Sequence, residues 1–376
     1  MGDTLIQSIH PAFDHSSIIK NFELIHFPPG FILHFSEKPT KHPSFLLPEK
    51  LSATYAESQR WLENINLDGV NDVNNYISYG RSLELISIAE ALHEKKISKI
   101  ADMIYEQKKA IKVVLISGPS SSGKTTFTQR LSTQLRVNGL KPVSLSLDDY
   151  FLNREDTPRD PSGQYDFDAL EALDLELLNK QLEKLINGKI VEIPIFNFLT
   201  GKRSPKGRFL QLGKNEILLV EGIHALNPNL LSFEKKDHFF KIYLSALFLL
   251  NIDGLNRVPT TEARLIRRIV RDDKFRSFSP ERTLKQWASV RRGENNSVFK
   301  YQEEADIMFN SSILYELNAL RPTAEVLLRN VPEDDEYYDT AIRLLNLLSF
   351  FKPMELSQIP SNSILCEFIG GSIYST

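Results

Sequence analysis

The stretch VVLISGPSSSGKTTF, Val113 to Phe127, constrains this chain more than any other. It reads as an apolar strand, a Gly-rich turn, then a lysine and two threonines opening a helix. Gly118-Pro119-Ser120-Ser121-Ser122-Gly123-Lys124-Thr125 has the P-loop spacing. Its glycines let the backbone curl until successive N–H groups face a phosphate, and the helix beginning near Lys124 points its positive dipole end at the same anion. Lys124 would reach the β/γ-phosphates as a point charge, and the Thr125 hydroxyl would sit on Mg²⁺. Gly118, Ser120, Ser121, Ser122, Gly123, Lys124, Thr125 and Thr126 are therefore expected to bind a nucleoside triphosphate, ATP with Mg²⁺.

A strand feeding such a loop implies an α/β domain with a parallel sheet, and the flanking pattern agrees. Strands are expected at Val113–Ile116, Val143–Leu147, Ile217–Val220, Phe240–Leu244 and Asp306–Phe309. Helices are expected at Lys124–Val137, Ala169–Asn187, Thr261–Arg271, Glu281–Arg292 and Asp334–Phe350. Ahead of this core, FILHF alternates like a strand after the Phe27-Pro28-Pro29-Gly30 turn, while Leu51–Ile65 and Leu83–Tyr105 have helical spacing. The expected division is an N-terminal α+β accessory region (1–105), a P-loop α/β domain with a central parallel sheet flanked by helices (106–330), and a C-terminal helical extension (331–376).

The single cysteine, Cys366, excludes an intrachain disulfide and a cysteine-built metal site. A net charge of −3 gives no global pull toward nucleic acid or membrane. The apolar run Ile242–Ile252 is too short to span a bilayer and reads as a buried strand. The opening MGDTLIQSIHPAFDHSS lacks a basic start and an apolar core, so a reduced, cytoplasmic setting is expected. The expected partner is a small-molecule acceptor, without membrane or nucleic acid, and with homo-oligomerisation left open.

A P-loop alone does not say what is done with the triphosphate. The next strand ends in Ser146-Leu147-Asp148-Asp149, at the carboxyl edge where ligands bind in this architecture. One of these carboxylates can take a proton from an attacking hydroxyl, and a turn or capping aspartate is the plain alternative. ILLVEG ends a later apolar strand in Glu221, where a magnesium-shell acid would stand. In ARLIRRIVRDDKFR, Arg264, Arg268 and Arg271 fall on one helix face at i, i+4, i+7, with Leu265, Ile266, Ile269 and Val270 as the buried side. Such a row can clamp a migrating phosphoryl group or form a solvated basic strip. Arg276, Arg291 and Arg292 extend it.

In this order and at these spacings, residues 111 to 328 resemble the uridine kinase/phosphoribulokinase family of P-loop kinases. GPSSSGKTTF is similar to the family's phosphate loop. SLDD resembles its Ser-Gln-Asp segment, which implies the general base at Asp148. YDFDALEALD resembles the stretch whose carboxylate holds the acceptor's vicinal hydroxyls, implying Asp168. VEGIHAL implies a magnesium-shell role for Glu221, with Thr125 and Asp148 nearby. RRIVRD resembles the lid helix, implying that Arg268 and Arg271 contact phosphate or substrate. Arg276, Gln286 and the aromatic residues Phe196 and Phe198 carry over as acceptor contacts. The resemblance is closest to bacterial-type kinases with threonyl-tRNA synthetase-like N-terminal modules, through stretches such as SVRRGENNSVFKYQEEADIMFNSS and EFIGGS. Those modules are expected to be truncated or absent, since barely a hundred residues precede the loop.

Two positions depart from the family. Where uridine kinases carry a histidine and a second lid arginine that read the pyrimidine edge, this chain has Gly201 and Phe278. The expected activity is thus ATP-dependent phosphorylation of a hydroxyl on a small polyhydroxylated acceptor, a nucleoside or a sugar or polyol. The alternative is an ATP-binding regulatory or RNA-associated protein without turnover. A GTPase switch is set aside, because the only Asn-Lys candidate, Asn179-Lys180-Gln181-Leu182, lacks the aspartate.

Overall fold

The computed structural model describes residues 17, 22–28, 30–35, 47–160, 163, 165–197, 200–232, 238–254 and 256–374. Contacts divide the chain into two units, residues 1–49 and residues 50–376. The first contains an antiparallel hairpin of β1 (Phe22–Phe27) and β2 (Gly30–Phe35). Its β2 covers the expected FILHF strand, whereas β1 has no clear alternation and was not expected.

In the second unit, α1 (Glu49–Asn64), α2 (Val70–Ser78) and α3 (Ser82–Glu106) precede β3 (Val113–Ser117) and α4 (Lys124–Val137). Then follow β4 (Lys141–Ser146), α5 (Leu175–Ile186), the short strands β5 (Val191–Ile193), β6 (Phe196–Asn197), β7 (Lys202–Arg203) and β8 (Arg208–Leu210), and β9 (Glu216–Glu221). The chain continues through β10 (Phe239–Ser245), α6 (Thr260–Arg276), α7 (Pro280–Ser297), β11 (Ile307–Asn310), α8 (Glu316–Arg329), α9 (Tyr338–Ser349) and α10 (Cys366–Ile369).

The five expected strands form one parallel sheet in the order β11-β10-β3-β9-β4. Every residue of β3 is buried, as its uninterrupted apolar run requires when helices cover both faces. The central position of β3 sets the loop after it between the ends of β9 and β10. α3 packs on α4, where Arg130, almost wholly buried, pairs with Glu90 and Glu94 at 3.0 and 2.8 Å.

Two expectations change, and one alternative falls away. The run Ile242–Ile252 is a strand only to Ser245; beyond it Leu247 is held through both backbone groups by the Asn310 side chain, which takes the chain out of the sheet. The 169–187 segment begins as a short turn at Leu170–Ala172, and α5 starts after Asp174, whose carboxylate caps the Leu177 N–H. On α6 the arginine face is not solvated: Arg264, Arg267 and Arg268 are buried along with the apolar side.

Candidate active site

β3 turns into α4 through Ser121 and Gly123, both with left-handed backbones (φ +59° and +82°). Glycine adopts this freely and serine does so under strain. Gly118 has no room for a side chain against the Leu244 carbonyl. The loop is tied down from α6 and α7: Arg268 donates to Ser120 Oγ at 2.8 Å, Arg267 to the Ser121 carbonyl at 3.2 Å, and Glu294 accepts the Ser120 N–H at 2.8 Å. The buried hydroxyls of Ser121 and Ser122 have no partner among the described residues. Lys124 folds back on the loop, donating to the Gly118 and Pro119 carbonyls at 2.9 and 3.1 Å.

Register fixes the acidic side of the site. Glu221, at the end of β9, is paired across the sheet with Ile116 on β3 and Ser146 on β4, and Ser146 Oγ donates to its carboxylate at 3.1 Å. The turn Leu147–Tyr150 then carries Asp148, whose N–H is accepted by the same Ser146 hydroxyl at 3.3 Å. Burial pushes the Glu221 carboxyl up to about 7, with Asp148 adding to the shift and Lys124 opposing it. Burial also raises Asp148, against the pull of Lys124, Arg276 and Arg271. In the same way burial pushes the Lys124 ammonium down, opposed by Glu221, Glu367, Asp148 and Glu294. Lys124, Asp148 and Glu221 therefore form one electrostatic cluster at the carboxyl edge of the sheet.

That cluster suits a small hard cation. Magnesium takes one or two carboxylates with the remaining positions filled by water and phosphate oxygens. Two mutually repelling carboxylates at the ends of the paired strands β4 and β9, Asp148 and Glu221, offer oxygen donors of that kind.

Asp168 is packed against Gly293 of α7, where a side chain would run into it. Burial lifts its carboxyl to about 6, with Arg268 as the main opposing charge. Arg271 and Arg276 converge on buried Asp272, and their charges also reach Asp148. Phe196 packs against Phe151, with ring centres 5.7 Å apart, and its backbone bonds Asp149. Gln286 sits half-buried on α7 and forms no hydrogen bond with the other site residues among the described ones. Phe198 lies outside the described residues.

Both departing positions sit in defined local surroundings. Gly201 turns the chain between β6 and β7 with φ +68°, and a Cβ there would lie 2.7 Å from Arg154 Nε. Phe278 follows Ser277, the left-handed cap of α6, and its ring is covered by the Arg282 guanidinium at 3.5 Å. Sequence reasoning missed Glu294 and Glu367, which both accept loop N–H groups, and Arg267. All three reach the loop from more than a hundred residues away. The only signal for the two glutamates was their place in the GENN and EFIGGS stretches.

The sequence model of the phosphoribulokinase/uridine kinase family matches residues 113–314. Among curated proteins, a uridine kinase of Mycoplasma genitalium is 30% identical over 178 residues, covering 47% of this chain and 74% of its own. A uridine kinase of Staphylococcus aureus is 30% identical over 184 residues, covering 49% and 79%. Among solved structures, phosphoribulokinase from Rhodobacter spheroides superposes with a TM-score of 0.35 at 22% identity, covering 53% of this chain and 70% of that one.

Proposed function

Since the chain belongs to the phosphoribulokinase/uridine kinase family, we propose that it transfers the γ-phosphate of ATP to a hydroxyl of a small polyhydroxylated acceptor, a nucleoside or a sugar or polyol. The observation that carries this reading is the shared cluster of Lys124, Asp148 and Glu221 beside the P-loop. Lys124 and the loop N–H groups hold the phosphates, and Arg268 and Arg271 offset charge spreading over the migrating phosphoryl oxygens. Thr125 and Glu221, with Asp148 beside them, would hold Mg²⁺, which when bound neutralises the phosphates. Asp148 accepts the proton of the attacking hydroxyl as its oxygen bonds the γ-phosphorus and ADP departs. Asp168 orients the acceptor through its vicinal hydroxyls, and Phe196 and Arg276 line the same side.

Gly201 and Phe278 argue against uridine read in the usual way. A pyrimidine edge buried without partners loses about 1–3 kcal/mol per unsatisfied group. Two such losses are on the order of 10²–10⁴ in discrimination. The test is ADP release by the purified chain with Mg²⁺ and ATP against nucleosides, pentoses, polyols and sugar phosphates. Stimulation by a polyhydroxylated acceptor that is lost in Asp148→Asn is expected. No stimulation by any acceptor would remove the kinase reading, and uridine or cytidine far above the rest would remove the acceptor reading.

A further inference from the structure

Glu367 lies 241 residues after Thr126, yet its Oε2 accepts the Thr126 N–H at 3.0 Å. Thr126 is the third residue of α4, so this N–H is one of the donors a helix start leaves free for an anion. In a P-loop the same donors cradle the α- and β-phosphates. The carboxylate is held at that spot by packing. Ser363, Ile364, Leu365 and Phe368 are buried, Ile364 abuts Gly123, and the Phe368 ring lies 5.1 Å from the Arg267 guanidinium.

Its partner state sets it apart from Glu294, the other carboxylate on the loop. Glu294 is neutralised by Arg264 and Arg291 and serves as a fixed buttress. Glu367 forms no ion pair among the described residues, and its charge acts on Lys124, the cation meant for phosphate. A carboxylate and a phosphate cannot share one N–H at close range, because two anions would then stand side by side at low dielectric.

Resting on the reading of this loop as the nucleotide phosphate site, we propose that Glu367 is an intramolecular anion. It occupies the Thr126 end of the P-loop until nucleotide displaces it, and so sets the affinity for the phosphoryl donor. The C-terminal segment thereby becomes part of the donor site.

The test is equilibrium binding of ATP with Mg²⁺ to the full chain, comparing wild type with Glu367→Gln and Lys124→Ala, alongside thermal unfolding of each without nucleotide. Glutamine keeps the shape and can accept the N–H, but carries no charge to oppose phosphate or to favour the helix start. Expected are an ATP Kd about tenfold lower in Glu367→Gln, about 1.4 kcal/mol, and a Tm no higher than wild type. Tighter binding without added stability distinguishes a displaced competitor from a structural brace, whose loss would weaken both. If Glu367→Gln does not fold, Glu367→Asp keeps the charge but withdraws it by one methylene, and a Kd between wild type and tenfold lower is expected. Unchanged or weaker ATP binding in the folded variant overturns the proposal. If wild type binds ATP and Lys124→Ala does not, unchanged or weaker binding in Glu367→Gln overturns the Glu367 proposal while the P-loop reading stands. If neither wild type nor Glu367→Gln binds ATP, the proposal and the P-loop reading fall together.

Discussion

Replacing Glu221 with glutamine should change how stability depends on pH, in a direction the site dictates. Glu221 has a folded-state pKa of about 7 against an ordinary value of 4.5, chiefly because burial disfavours its charge and secondarily because Asp148 stands beside it. A carboxyl raised in the folded state holds its proton there while the unfolded chain releases it. Its stabilising contribution is complete below about pH 4.5 and is lost progressively up to about pH 7. The gap between 4.5 and about 7 corresponds to about 3 kcal/mol. The charge of Asp148 acts on Glu221 and its own carboxyl is raised too, so the measured difference is that of the pair. Glutamine keeps the hydrogen bond from Ser146 and removes the ionisation. Urea unfolding of wild type and Glu221→Gln without nucleotide, from about pH 4.5 to about pH 8, should show the variant gaining about 3 kcal/mol relative to wild type across that range. Parallel curves, or a wild type that gains on the variant as pH rises, would refute the electrostatic account of the site.

Lys124→Ala should lower turnover on the order of 10²–10³-fold, the scale of losing one preorganised charge at the transition state; steady-state kinetics with the best acceptor checks it. Asp148→Asn should fold and bind ATP yet lose phosphoryl transfer, shown by comparing nucleotide binding with turnover in one preparation; full activity would move the base to Asp149. Gly201→Ala should destabilise by about 1 kcal/mol or more, because a Cβ at φ +68° is strained and meets Arg154; chemical denaturation measures it, and an unchanged midpoint would count against a left-handed turn at this position.

The part of the candidate site around the P-loop was legible because its signals are local. A P-loop is eight consecutive residues, and each acidic residue follows an apolar strand that ends where the sheet ends. All five sheet strands were readable from their apolar runs. α8 escaped notice because Pro322 interrupts what would otherwise be a helical pattern, yet the helix continues through it. α2 is only nine residues, four of them Asn or Asp, too short and polar for a periodicity. The burial of Arg264 and Arg267 on α6 was not legible, because their neutralising partners, Glu294 and Glu316, lie far along the chain. Charge looks solvated in a sequence until its counter-charge is found.

The burial of that arginine face determines how α6 can move. Arg264 and Arg267 each sit in a buried ion pair, with Glu294 and Glu316, and leaving one such partner uncompensated costs about 3–5 kcal/mol. Rotating the helix as a rod over bound nucleotide would sever both. The far end is built differently: Arg276 is about half exposed, and the chain leaves α6 through the left-handed Ser277. The first half of α6 is therefore held both by these buried pairs and by Arg267 and Arg268 on the loop after β3, while the stretch beyond Asp272 lies outside those pairs.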